Sequence, residues 1–257
     1  MIKIGLVGCG NVGKYICENI DNIGVDYRLF IYDRNSYKID KICKVSDKIF
    51  PCYKIETLLN ESLDFLIEAA SREFAKKYGP IFLKKGISLI TLSNGFLVSD
   101  EIRNMFIQCA EKGNSKIYLP GAPPGIDAAL VMQVHGIKSS KYISLRNSKH
   151  PIAQKMGKGT YFSGTTREAM NVFEKTLNTA SVLAEATIGY DDSLAEVGFY
   201  DEIEGYELKL NIETDIAQID VCLHGKLDEE SGKFSKYAAL SVIALLKKKY
   251  SKIVIGI

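Results

Sequence analysis

The opening stretch IKIGLVGCGNVGKYICENI constrains this chain more than any other. An apolar run, Ile2–Val7, leads straight into Gly8-x-Gly10-x-x-Gly13, and a helical stripe of Val12, Ile16 and Ile20 follows. In such a strand-to-helix turn each glycine has a task. Gly8 permits the tight turn, Gly10 lets a ligand approach the backbone, and Gly13 lets the helix close on the strand. The helix then starts with free N–H groups and the positive end of its dipole, which suits a phosphate. A second apolar run, Tyr27–Tyr32, ends at Asp33, 20 residues past Gly13. A carboxylate at that point accepts hydrogen bonds from a ribose. The stretch therefore reads as a dinucleotide site, with Gly8, Gly10, Asn11, Val12, Gly13 and Asp33 around the cofactor. Asp33 favours NAD, whereas Arg34 beside it offers a cation to the 2′-phosphate of NADP. Both cofactors stay open.

Apolar runs and helical patterns alternate through the first 120 residues. Strands are expected at Ile2–Val7, Tyr27–Tyr32, Phe65–Ala69, Ser88–Leu92 and Lys116–Leu119, and helices near Val12–Ile23, Arg72–Lys85 and Ser99–Lys112. Runs this apolar belong to strands buried on both faces, so the pattern predicts an α/β fold with a Rossmann-type doubly wound parallel sheet. After about residue 138 the texture changes. KYISLRNSK, GTYFSG, AEVGFYDEIEGYELKL and AQIDVCLHGKL are partly alternating, and one helical segment, Arg167–Thr187, interrupts them. These features predict a second α+β domain on a mostly antiparallel sheet. The expected division is 1–120 for the dinucleotide and 121–234 for substrate and dimerisation. A final helix within 235–257 would return to the first domain, packing through Leu240, Ile243 and Ala244.

Composition excludes several classes. Thirty-three basic and 31 acidic residues leave a net charge of +2, which gives no case for nucleic acid or an anionic membrane. No apolar run reaches the roughly 18 residues of a spanning helix, and the N-terminus lacks the features of a signal peptide. The cysteines at 9, 17, 43, 52, 109 and 222 form no CxxC pair. With three histidines, no metal-ligand set emerges, and reduced thiols in a cytoplasmic protein are expected.

In a doubly wound sheet, ligands sit beyond the carboxyl ends of the strands. EAASRE, residues 68–73, brings small side chains at Ala69, Ala70 and Ser71. TLSNG, residues 91–95, brings Ser93, Asn94 and Gly95 towards the cofactor's reactive end. YLPGAPPGIDAA, residues 118–129, holds three of the chain's six prolines and reads as a shaped loop. Its glycine N–H groups suit a carboxylate, and Asp127 is placed to cap the following helix.

Together these pieces resemble the L-aspartate dehydrogenase family. The resemblance is carried by GLVGCGNVG, EAAS, LSNG, LPGAPPGIDAA, FSGTTREAMNVFEKTLNTASVLAEATIG and SGKFSKYAALSVIALL. Gly121, Ala122, Gly125 and Asp127 match the family's loop, and Gly164, Glu168, Ala169, Phe173, Asn178 and Gly189 match a later stretch. The resemblance implies hydride transfer between the C4 of NAD or NADP and the Cα of a small amino or oxo acid, iminoaspartate being the family's substrate. It also implies a homodimer formed through the second-domain sheet. Three departures stand out. The family's loop serine falls at Pro120, and its Asn-Pro-Lys-Thr-Ser run becomes SGKFS, keeping only Lys233 and Ser235. Its Asn-x-His pair, whose histidine is taken as the acid, meets FYDEIEGYELKL, with Tyr206 near the histidine and Glu204 near the asparagine. Tyr206 and His150 are thus the candidate acids, and Gly121, Ala122, Lys149, Asn178, Lys233 and Ser235 the candidate substrate contacts. Asp201, Glu202, Glu204 and Glu207 would repel a dicarboxylate if several faced the site. A dehydrogenase for a different amino or 2-oxo acid, or a non-catalytic NAD(P) sensor, fits the altered acid as well.

Overall fold

The computed structural model describes residues 1–120, 124–173, 177–227 and 236–256. They belong to two units, Met1–Gly121 with Lys236–Ile255 and Ala122–Ser235 with Gly256–Ile257. Four expected substrate contacts, Gly121, Ala122, Lys233 and Ser235, lie outside the described residues.

The first unit alternates strands and helices: β1 (Ile2–Val7), α1 (Asn11–Asn19), β2 (Tyr27–Tyr32), α2 (Ser36–Ile42), β3 (Ile49–Cys52), α3 (Ile55–Asn60), β4 (Phe65–Glu68), α4 (Arg72–Lys84), β5 (Ser88–Thr91), α5 (Asp100–Gly113) and β6 (Ile117–Tyr118). The six strands form one parallel sheet in the order β3-β2-β1-β4-β5-β6. Ile4, Leu6, Leu29, Ile31, Leu66, Ile67, Leu89 and Ile90 are fully buried within it. Strands covered on both faces need such unbroken apolar runs. The order reverses between β1 and β4, which opens a crevice at their carboxyl ends. The elements α2, β3 and α3 were not among those expected. Each is short, and Pro51 sits in the edge strand β3, where no second neighbour needs its missing N–H.

The final helix, Lys236–Tyr250, packs on α1 within the same unit. It buries Ala239, Val242, Ile243 and Leu246, not the expected set, since Leu240 and Ala244 are exposed. The two stripes differ by one residue. Continuing from Leu240 would bring Lys247 into the contact, whereas the stripe from Ala239 continues to Leu246.

In the second unit the elements are α6 (Ile126–His135), β7 (Ser139–Asn147), α7 (Ala153–Met156), β8 (Gly159–Thr165), α8 (Thr166–Val172), α9 (Asn178–Ala186), α10 (Gly189–Asp192), β9 (Leu194–Tyr200), β10 (Tyr206–Glu213) and β11 (Gln218–Gly225). The sheet runs β11-β10-β7-β9-β8, antiparallel throughout except for the β7–β9 pair. Alternation buries Ser140, Tyr142 and Ser144 of β7, Leu208, Leu210 and Ile212 of β10, and Ala195, Val197 and Phe199 of β9. Intervening side chains such as Lys141, Glu196, Lys209 and Cys222 point to the opposite, open face. The helix expected over Arg167–Thr187 is divided. Phe173, at φ −116° and ψ 46°, leaves helical geometry after α8, and α9 starts afresh at Asn178. Asp127 is not a cap either. Gly125, in the left-handed region, begins α6, which leaves Asp127 in the first turn, where it complements the helix dipole.

Candidate functional site

Within the first unit, the carboxyl ends of β1, β2, β4 and β5 are stitched together by backbone hydrogen bonds. Gly8 N–H donates to Tyr32 O at 2.9 Å, Ala69 N–H to Val7 O at 2.9 Å, and Leu92 N–H to Glu68 O at 3.0 Å. Gly8 adopts φ +98°, and a Cβ there would lie 2.4 Å from the Ala69 carbonyl oxygen. At Gly13 a Cβ would stand 1.8 Å from the Gly8 carbonyl oxygen, so the helix touches the loop directly. Gly10 differs, because nothing lies within 4 Å of where its Cβ would be. It is the N-cap of α1, with no side chain capping the helix and no acidic residue in the first turn. Asn11 is exposed and Val12 half-buried. The leading N–H groups thus stand at an open surface without a competing anion, an arrangement that fits a pyrophosphate.

Asp33 braces this loop. Its Oδ2 accepts from Cys9 N–H at 2.7 Å and its Oδ1 from Asn35 N–H at 2.9 Å. Arg34 is exposed beside it. Burial, with Asp33 nearby, pushes the Cys9 thiol up to about 12, so this cysteine packs as a protonated thiol.

Sequence reasoning passed over the most constrained residue at this edge, Glu68. It is fully buried at the end of β4. Its Oε1 accepts from Ala70 N–H and Ser71 N–H, both at 2.8 Å, and from Ser93 O–H at 3.1 Å. Its Oε2 accepts from Thr91 O–H at 2.8 Å and Ser93 N–H at 3.2 Å. Burial drives the carboxyl above its usual range, opposed by these donors, which favour the charged form. Glu68 thereby fixes the turns after β4 and β5 in one shape. Ser71 accepts from Phe74 N–H at 3.2 Å as the N-cap of α4, and the Ser93 hydroxyl is turned onto Glu68. Asn94 is buried. Gly95 leaves room for the Arg72 guanidinium, whose Nη2 lies 1.9 Å from where a Cβ would be. Ala69 is half-buried and Ala70 exposed, which keeps this rim low.

The second unit gathers side chains at the end of β7. Arg146 stands opposite Tyr206 of β10 on one side and Phe199 of β9 on the other. His150, one turn beyond, places Nε2 3.1 Å from Arg146 Nη1 and stacks on Phe199 with centroids 6.1 Å apart. An arginine can only donate, so Nε2 is the acceptor and the imidazole is neutral. Burial and then Arg146 hold the His150 pKa below its ordinary value. As a proton donor near neutral pH it is therefore poorly placed. The Tyr206 ring covers Gly225, where a Cβ would lie 1.9 Å from its Cζ. Tyr142, four residues before Arg146, is buried and its phenol is pushed up to about 12. Asn178 begins α9, and the neighbouring Thr179 hydrogen-bonds Tyr142. Lys149 stays outside this cluster, exposed in the turn where its N–H donates to Asn147 Oδ1.

The acidic residues of this region do not crowd the cluster. Glu207 projects to the opposite face, paired with Lys209 at 3.1 Å and His224 Nδ1 at 3.0 Å. Asp201 pairs with Lys158 at 2.6 Å, and Glu202 and Glu204 are exposed. One expectation is corrected here: Glu207, Cys222 and His224 do gather, with ligand-capable atoms within 4.8 Å of one another. Cys-x-His on a strand puts both side chains on one face, a signal present in VCLHG.

Residues 8–120 match the family model described as homoserine dehydrogenase, NAD binding domain, and residues 130–249 match that of aspartate dehydrogenase, C-terminal. The L-aspartate dehydrogenase of Methanosarcina mazei is 31% identical over 274 residues, covering 100% of both chains. This chain belongs to the L-aspartate dehydrogenase family. The L-aspartate dehydrogenase of Archaeoglobus fulgidus is 27% identical over 95% of this chain and 96% of its own. The crystal structure of aspartate dehydrogenase from Thermotoga maritima superposes with a TM-score of 0.79 over 100% of both chains at 19% identity, so the two share their fold. Family membership thus extends through both units.

Proposed function

We propose that this protein is an NAD(P)-dependent L-aspartate dehydrogenase. It oxidises L-aspartate to iminoaspartate, which water converts to oxaloacetate and ammonia, and it runs the reverse reaction. The observation that carries this reading is the open, uncapped helix start beside Gly10, braced by Asp33, in a chain matched end to end by enzymes of that name. When bound, the nicotinamide gives or takes the hydride at its C4.

The chain's own residues divide the remaining work. Backbone N–H groups of Gly10, Asn11, Val12 and Gly13 hold the pyrophosphate, and Gly8 sets the turn beneath it. Asp33 accepts from the adenosine ribose, which favours NAD, while Arg34 stands ready for a 2′-phosphate. Ala69, Ala70 and Ser71 form a low wall, and Ser93, Asn94 and Gly95 support the reactive end through Glu68. In the second unit Tyr206 donates its phenol O–H to the substrate. A protonated imine already carries the charge that attracts a hydride, so the product is a neutral amine and no further proton is needed at that step. Tyr206 can therefore serve by orienting the substrate, where a histidine would also shuttle protons. His150, neutral against Arg146, positions that arginine. Asn178 lines the same face from α9, and Lys149 contributes positive charge at the rim. Tyr206 in place of histidine also favours a second reading, a dehydrogenase for a different amino or 2-oxo acid.

Among the described residues no helix is long and apolar enough to cross a membrane, and the six cysteines are free. We assign the protein to the cytoplasm and expect a homodimer formed through the open sheet face. Light scattering tests the dimer. For the activity, purified protein with NADH or NADPH, oxaloacetate and ammonia should consume reduced cofactor only when ammonia is present. Turnover without ammonia supports a 2-oxo acid reductase, and cofactor binding without turnover on any amino or oxo acid supports a sensor.

A further inference from the structure

We infer that Arg146 is the anchor for a carboxylate of the substrate, held in a frame of Tyr206, Tyr142, His150 and Phe199. The inference rests on the dehydrogenase reading for the substrate's class, while the anchor itself follows from the second unit alone. Arg146 belongs to the inward-facing series of β7, after Tyr142 and Ser144, and is half-buried at its end. Burial there lowers its pKa, though an arginine remains a cation at any physiological pH.

A desolvated guanidinium is costly unless an anion or several acceptors answer it. Among the described residues Arg146 has one hydrogen-bond partner, the neutral His150, and no carboxylate in ion-pair range. The Tyr142 phenol beside it, pushed up to about 12 by burial, is uncharged at neutral pH. Arg167 in the same unit shows the contrast. It is satisfied by two parallel contacts to Asp191, at 2.6 and 2.9 Å. Arg146 presents the same planar fork with no such acid. Its other N–H groups are not among the buried polar atoms lacking a partner, so they face an accessible space. A guanidinium that is fixed from one side, uncompensated and open on the other is built to receive a carboxylate by two parallel N–H···O bonds. A purely structural role, supporting His150, would be met by a neutral amide without the cost of a buried charge.

Arg146→Gln removes the charge and Arg146→Lys keeps it without the fork, so the pair separates anchoring from folding. Three readouts are needed: NADH titration, steady-state kinetics with oxaloacetate plus ammonia, and the rise in melting temperature caused by succinate, a dicarboxylate that cannot react. The expected result for Arg146→Gln is unchanged NADH affinity, a KM for oxaloacetate raised about 10²-fold with kcat much less affected, and loss of the succinate effect. Arg146→Lys should keep the native melting temperature and raise KM roughly tenfold, because a point charge replaces a bidentate one. Comparing oxaloacetate with 2-oxobutyrate then locates the anchored group. An equal loss on both assigns the α-carboxylate, and a loss on oxaloacetate alone assigns the distal one. A KM within two- to threefold of wild type for either folded variant overturns the anchor. If wild type turns over no amino acid yet succinate still stabilises it through Arg146, the dehydrogenase reading falls and the anchor stands.

Discussion

The crevice edge of the first unit and the Arg146 cluster of the second are built by opposite means. At the first, backbone is laid bare: glycines remove side chains, Asp33 and Glu68 hold the turns, and α1 presents bare N–H groups. At the second, side chains converge from β7, β10 and the turn after β7. A site made of backbone persists while its glycines persist. A site made of side chains can be rewritten residue by residue.

The largest effect should come from spoiling the backbone site. Gly13→Ala places a methyl into the Gly8 carbonyl, and NADH affinity measured by fluorescence titration should fall by about 10²-fold or more. Retained affinity would mean the loop is not the cofactor's cradle. Next, Tyr206→Phe deletes a donor without changing shape, and kcat/KM should fall about 10- to 100-fold with NADH binding intact. An unchanged kcat/KM removes Tyr206 from the chemistry. Asp33→Ser should then cost about tenfold in NAD affinity and narrow the gap to NADP, because a carboxylate repels the 2′-phosphate. An unaltered preference would assign selectivity elsewhere.

The smallest effect is on stability. The His150 pKa lies lower in the folded protein than its ordinary 6.5, so below 6.5 the unfolded chain takes up the proton first. That contribution is present above pH 6.5 and is lost as pH falls through the folded value. Denaturant melts should therefore show wild type losing more stability than His150→Gln between pH 7 and pH 5. Parallel curves would place His150 in a solvent-like setting.

The same contrast explains what could be read from the sequence. The run from Ile2 to Gly13 was legible because its apolar period, its glycines and the following Asp33 are local signals. The sheet around it followed from alternating runs, apart from α2, β3 and α3, which are too short to show a period. Glu68 was hidden because its partners Thr91 and Ser93 reach it only through the β4–β5 register. Arg146 and Tyr206 are 60 residues apart in the chain and meet only through the β7–β10 pairing, so neither announces the other. Alternation likewise decided that Glu207 turns away while Tyr206 turns inward, and that depends on register to a single residue.

One experiment reaches the centre of the account. Wild-type protein is supplied with NADH deuterated at C4, oxaloacetate and ammonia, and the products are read by mass spectrometry. The expected product is aspartate carrying a single deuterium at Cα. Deuterated malate, or recovery of undeuterated reactants despite bound cofactor, would contradict an amino-acid dehydrogenase.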